Sequence, residues 1–247
     1  PFYELTSKDL FRLVMARRSE GIATSTILHE LVFINGLITT AKQLGYRVPD
    51  IDIKEFKKDH KIKQGKKPVR YLTAEEEGRL LAELDPNKPM QGFAPVETQT
   101  SERRRIRQDA YDFVLMLLDT GARHEEIASL EWSRIDLKER TIRLYRGKVN
   151  NESTLYMTKR LYEVLRRRSK NKDSEQYIFT NKKGGHRNYA ICGISGAARR
   201  AGIKDCTFHT MRKTLASKLV RGGLAISDVS VILGHASVAT TQNYYAS

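Results

Sequence analysis

The densest apolar run in the chain, Phe113–Leu118, is bracketed by Asp112 and Asp119. A run that short cannot cross a bilayer, which takes about 18 apolar residues. It reads instead as the buried stripe of a soluble helix, predicted over Ser101–Thr120 and stopped by Gly121. With 247 residues, 40% of them hydrophobic, and a mean hydropathy of −0.52, the chain has the material for a real core in one large domain or two modest ones. Cys192 and Cys206 have neither metal-ligand spacing nor the number for a disulfide framework. The start lacks a secretory leader pattern. The 44 basic residues against 29 acidic ones leave a net charge of +15, which favours a polyanionic partner, nucleic acid before membrane. These features predict a cytosolic protein that binds nucleic acid.

Turn and cap signals divide the chain. Thr6 and Asp9 form a capping box ahead of Leu10, Leu13 and Val14, predicting a helix that ends near Gly21. A second opens at Thr24 or Ser25 and runs to Gly45. The stretch from Ile53 to Arg70 is rich in lysine, closes on Gly65 and Pro68, and reads as an exposed basic linker able to lie along phosphates. Beyond it, Thr73 and Glu76 cap a helix through Leu84, and the proline-containing stretch Asp85–Thr100 reads as a loop. Thr141–Tyr145 and Thr154–Met157 read as two strands of a hairpin around Arg146–Asn151. Further helices are expected over Thr158–Lys170, Tyr189–Ala201, His209–Arg221, Ser227–Leu233 and Val238–Tyr245. The fold class is mainly α with a small antiparallel β-sheet.

Three places could carry chemistry. In Thr120-Gly121-Ala122-Arg123, an arginine stands at the first turn of a helix, where the dipole favours acids. That placement suits a guanidinium that faces an anion together with the helix start, although Arg123 taken alone reads better as a surface residue. His209 and Arg212 lie one turn apart on one helix face, as a phosphate site or simply as a surface pair. In Leu233-Gly234-His235, a histidine follows a helix-ending glycine, and the next short helix carries Tyr244 and Tyr245, which taken alone read as packing residues. Neighbours on a helix project about 100° apart, so only one of these tyrosines can face a given group. Bland readings hold for His29 and His124 as packed or surface histidines, for His60 as part of the linker, and for His186 on a glycine-rich loop. There is neither a Walker-type glycine loop nor the acidic cluster of a two-metal nuclease.

Taken together and in order, these stretches resemble the tyrosine recombinase family, in particular phage-type integrases. The matching boxes are Thr120–Ile127 continuing into Leu130–Asp136, then His209–Arg212, then Leu233-Gly234-His235 with Tyr244 nine residues after the histidine. The likeness covers Tyr71–Tyr245. It implies a catalytic domain over residues 71–247, preceded by the linker at 53–70 and by a partial helical core-binding domain over 1–52, whose first two helices would lie upstream of residue 1. Lys213 departs from the pattern, standing where a histidine is frequent.

The resemblance implies that Tyr244 is the nucleophile, that Arg123 and Arg212 clamp the phosphate, and that His235 donates a hydrogen bond to it. It also implies that His209 is the acid/base partner and that Lys148, on the hairpin turn, is the general acid. Glu126 would orient the site. No cofactor is implied, neither metal nor ATP, because a phosphotyrosine conserves the energy of the broken ester. The implied partners are double-stranded DNA at attachment or core sites, three further copies of the chain in a homotetramer on that DNA, and accessory DNA-bending proteins. Two rivals remain at this point: a type IB topoisomerase, which usually lacks the histidine that stands here as His209, and a catalytically silent DNA-binding regulator, which need not keep all six residues.

Overall fold

The computed structural model describes residues 2–63, 65, 68–90, 94–146, 151–170, 175–187, 192–235 and 237–245. The chain divides into two compact units, Pro1–Pro68 and Val69–Ser247.

In the first unit, Thr6 caps α1 (Ser7–Ser19). Its backbone N–H donates to the Asp9 carboxylate at 3.0 Å, while its hydroxyl accepts from the Asp9 N–H at 3.3 Å. Leu10 and Val14 of α1 pack against Ile27, Leu31 and Ile38 of α2 (Thr24–Gln43). Residues 53–70, expected as an exposed linker, instead begin with a helix, α3 (Ile53–Asp59). The Asp52 carboxylate starts it by accepting from the N–H groups of Lys54 at 2.7 Å and Glu55 at 3.0 Å. Ile53, Phe56 and Ile62 then enter the same core, while Lys54, Lys58 and Lys61 remain exposed. The lysine run therefore lies on the solvated side of an amphipathic turn. His60 also belongs to this unit, its ring 4.5 Å from that of Phe56 and 4.9 Å from that of Phe11.

The second unit is built around α5 (Ser101–Thr120), whose residues Phe113–Leu118 are all buried. Around it pack α4 (Ala74–Leu84), α6 (His124–Ala128), α7 (Lys159–Arg168), α8 (Cys192–Arg200) and α9 (Phe208–Arg221). Thr73 and Glu76 form the expected capping box on α4. A three-stranded antiparallel sheet lies in the order β1 (Ile135–Asp136), β2 (Thr141–Arg146), β3 (Asn151–Tyr156). Its register pairs Ile135 with Ile142 and Ile142 with Leu155. The expected hairpin is thus joined by a third, two-residue strand, and β2 runs one residue further than its pattern suggested. The turn at 147–150, with Lys148, lies outside the described residues, as do residues 188–191 of the helix expected over Tyr189–Ala201. The chain closes with α10 (Ile226–Leu233) and α11 (Val238–Tyr245). Among the described residues no helix is long and apolar enough to cross a membrane.

Candidate active site

The site grows from a tight turn. Gly121 ends α5 with φ +58°, a conformation that favours glycine. A Cβ there would stand 2.7 Å from Leu233 Cδ2 and 2.9 Å from Leu215 Cδ2. The absent side chain lets the end of α5 press against α9 and α10. Two residues on, Arg123 occupies the cap position of α6. Its backbone N–H donates to Glu126 Oε2 at 2.9 Å and its Nη1 to Glu126 Oε1 at 2.8 Å. Because α6 has only five residues, the expected partnership of guanidinium and helix dipole reduces to the guanidinium, a longer stack of peptides being needed for a macrodipole.

Arg212 arrives from α9 and is 5% exposed. Rather than lying on a solvated face with His209, it is drawn inward, donating from Nη1 to the Gly121 carbonyl and from Nη2 to the Leu233 carbonyl, both at 2.6 Å. The reason is local. Met211 and Thr214 are buried on either side, so position 212 faces the junction of α5 and α10, where helix ends leave carbonyls without partners. His209 is exposed on the same helix.

After α10, Gly234 turns the chain at φ +66° and presents His235. The imidazole Nδ1 lies 2.7 Å from the buried Thr241 Oγ1. This contact ties the Leu-Gly-His turn to α11, the helix that also contains Tyr244, three residues beyond Thr241. Burial first, then the charges of Arg212, Arg123, Arg146 and His209, push the His235 pKa down from 6.5 to about 4. The ring is therefore neutral near pH 7. If Nδ1 accepts the Thr241 hydroxyl proton, Nε2 carries the ring's own proton and is a donor.

The fold thus brings Arg123, His209, Arg212 and His235 into one electrostatic field beside α11, while Lys148 lies outside the described residues. Two other histidines are occupied elsewhere in the second unit. The His124 ring stacks on Phe208 at 4.8 Å with 3° between planes, and His186 meets the Tyr177 ring edge-on at 5.7 Å.

One residue in this cluster escaped the sequence reading. Arg146 is fully buried, and its Nη1 lies 3.4 Å from Glu126 Oε2. The signal was present in the alternation of β2: Ile142 and Leu144 face the core, and Arg146 is the next position on that face.

Residues 70–247 match the model of the phage integrase family. Over 138 residues the chain is 30% identical to the tyrosine recombinase XerC of Herpetosiphon aurantiacus, a stretch that is 52% of this chain and 45% of that protein. Over an alignment of 256 positions, gaps included, it is 25% identical to the tyrosine recombinase XerD of Oceanobacillus iheyensis, covering 98% of this chain and 77% of that one. The chain spans about half the length of several other curated relatives that it matches. Its fold is similar to that of the Tn1549 transposon integrase, solved in complex with transposon right end DNA, with a TM-score of 0.76 and 19% identity over 100% of this chain and 83% of that one.

Proposed function

This chain belongs to the phage integrase family, and we propose that it cuts and rejoins DNA strands at specific sites for a phage or another mobile element. One observation carries the reading: the charges of Arg212, Arg123, Arg146 and His209, from three separate segments, all bear on the half-buried His235, beside the helix that contains Tyr244. Such an arrangement suits a tetrahedral anion that gains charge in its transition state.

The Tyr244 hydroxyl attacks the scissile phosphorus as its proton passes to His209. The P–O5′ bond breaks, and Lys148 protonates the departing 5′-oxygen. The products are a 3′-phosphotyrosine and a free 5′-hydroxyl. Arg123 and Arg212 hold the non-bridging oxygens as planar donors that stay charged at any working pH, and neutral His235 adds a hydrogen bond. The 5′-hydroxyl of another strand reverses the steps, restoring the tyrosine. Because the ester is conserved, the scheme calls for neither nucleotide nor metal. Exchange between two duplexes of two half-sites each calls for four protomers, and the net charge of +15 supplies phosphate contacts along the DNA.

A nicked duplex bearing a candidate attachment site, which loses its short 5′-fragment on cleavage, tests the reading. The wild-type protein is expected to form a denaturation-resistant DNA adduct in EDTA, and Tyr245→Phe to form it as well. Tyr244→Phe is expected to bind the duplex without forming one. An adduct mapped by mass spectrometry to Tyr245, or no adduct from the wild-type protein on any candidate site, would overturn the assignment.

A further inference from the structure

The bulkiest wholly buried side chain among the described residues belongs to an arginine, Arg146. It occupies the third inward position of β2, after Ile142 and Leu144, which are both buried in the core. At such a place an apolar side chain of similar volume serves stability as well as a charge or better. The contacts of Arg146 show a different use. Its Nε donates across the hairpin to Ser153 Oγ at 2.9 Å. Nη1 donates to the Leu233 carbonyl at 2.5 Å and lies 3.4 Å from Glu126 Oε2, and Nη2 donates to the Ile232 carbonyl at 2.7 Å. The planar fork therefore grips the last two carbonyls of α10, groups that a helix end leaves without intrahelical partners.

Two further observations make this grip specific. The Leu233 carbonyl is shared, accepting from Arg146 on one side and from Arg212 Nη2 at 2.6 Å on the other. The stem of Arg146 also lies directly against Gly234. A Cβ built at Gly234 would overlap Arg146 Cδ and Nε and stand 2.6 Å from Cζ. The glycine between Leu233 and His235 thus supplies the positive φ of the turn and the space in which an arginine from the sheet lies.

We infer that Arg146 is a positioning residue for strand cleavage: it fastens the turn that bears His235, and the carbonyl that holds Arg212, to β2 and Glu126. It acts through those groups and does not itself bind the phosphate. The inference rests on the proposed reaction for its kinetic consequence, but the contact it describes exists without DNA.

Three variants and two readouts test it. Arg146→Met removes the charge and the fork, Arg146→Lys keeps the charge alone, and Ser153→Ala deletes only the acceptor of Nε at a half-buried hairpin site that leaves the core intact. On the nicked duplex at saturating DNA, Arg146→Met should cleave about 100-fold more slowly, the effect of a misplaced catalytic group, while its DNA affinity stays near the wild-type value. Arg146→Lys should remain impaired, because one ammonium cannot reach both carbonyls and Ser153. Ser153→Ala should lose about three- to tenfold in rate, the worth of one hydrogen bond, and it decides the matter should Arg146→Met fail to fold. In the DNA-free protein, the His235 titration midpoint followed by NMR should move up in both Arg146 variants. In Arg146→Met the lost charge adds to the effect, while in Arg146→Lys, which keeps the charge, the rise reports a loosened turn and water at the ring.

Full rate with Arg146→Lys would show that charge alone matters and would overturn the inference. So would DNA affinity falling in step with rate, which marks a direct phosphate ligand, or a wild-type rate in Ser153→Ala. Should the wild-type protein form no adduct on any site, the functional reading fails, and the His235 midpoint alone decides the positioning claim: an unmoved midpoint in Arg146→Lys, which keeps the charge, refutes it.

Discussion

The second unit buries arginines in two places, and their partners differ. On α5, Asp109 and Asp112 are almost wholly enclosed. Arg168 donates to Asp109 Oδ1 at 2.6 Å and to Asp112 Oδ2 at 2.7 Å. Arg167 reaches Asp112 Oδ1 at 2.5 Å, and Arg187 reaches Asp109 Oδ2 at 2.7 Å. In the candidate active site, Arg146 and Arg212 are held by the main-chain carbonyls of Gly121, Ile232 and Leu233, and Glu126 pairs with both Arg123 and Arg146. The electrostatic outcomes are opposite. Burial alone would lower the Arg168 pKa, but Asp109 and Asp112 outweigh it and raise the value. For Arg146 burial dominates and lowers the pKa, Glu126 opposing and Arg123 adding to the effect. Arginines matched to carboxylates spend their charge on joining α5, α7 and the segment around Ile178. Arginines held by carbonyl dipoles are fixed in place yet leave a positive field inside the protein, which is what a phosphate needs.

The sharpest way to break this contrast is to remove one carboxylate from the first cluster. Asp112→Ala removes one of the two carboxylates that hold Arg168, which is 13% exposed at its side chain, and leaves Arg167 without that partner. Loss of one member of a buried pair costs about 3–5 kcal/mol, and urea unfolding should show a loss of that order. The cleavage rate per folded molecule should stay at the wild-type level. A rate that falls along with stability would mean that the two clusters are not separate devices.

The reciprocal change is Arg212→Lys. The fork that reaches the Gly121 and Leu233 carbonyls cannot be reproduced by one ammonium, and a lost transition-state donor costs about 10²- to 10³-fold in rate. Single-turnover cleavage should fall by that factor, with a smaller drop in unfolding free energy than Asp112→Ala produces. The reverse ranking, stability lost and rate kept, would assign Arg212 to the fold.

Legibility in the sequence followed the range of the forces involved. The caps at Thr6 and Thr73 and the glycine stop at Gly121 were readable because each is settled within a few residues. The helix at Ile53–Asp59 was missed because lysines on its solvated side outnumber Ile53, Phe56 and Ile62, which carry its burial. The strand Ile135–Asp136 is too short to show alternation. At the site, Arg123, His209, Arg212 and His235 could be named only because an ordered set of boxes resembles a family. Their residue types do not say that a turn at Gly121, the middle of α9 and the end of α10 meet. Arg146 failed for a different reason. A cation at an inward strand position contradicts the pattern rule that would place it there, and such a local conflict is itself a signal of function.

The smallest expected effect concerns the proton on His235. Its folded pKa of about 4 lies below the ordinary value of 6.5, so folding favours the neutral ring. As pH falls below 6.5 an unfolded chain takes up a proton that the folded chain refuses. The stabilisation is fully present above pH 6.5 and is lost progressively between 6.5 and about 4. The carboxylates Glu76 and Glu83, held below their usual range first by hydrogen bonds from Arg70 and from Lys88 respectively, begin to weaken the fold as pH falls below their ordinary value of 4.5, at the foot of the His235 window. Thermal melts of His235→Gln should therefore be flatter than wild type between pH 6.5 and 4, and parallel to it below. A phosphodiester placed among Arg123, Arg212 and His235 acts in the opposite sense to the guanidiniums, so a bound duplex should raise the His235 midpoint in an NMR titration. A midpoint that stays at about 4 with DNA bound would place the phosphate away from this histidine, and the positive field would then need another purpose.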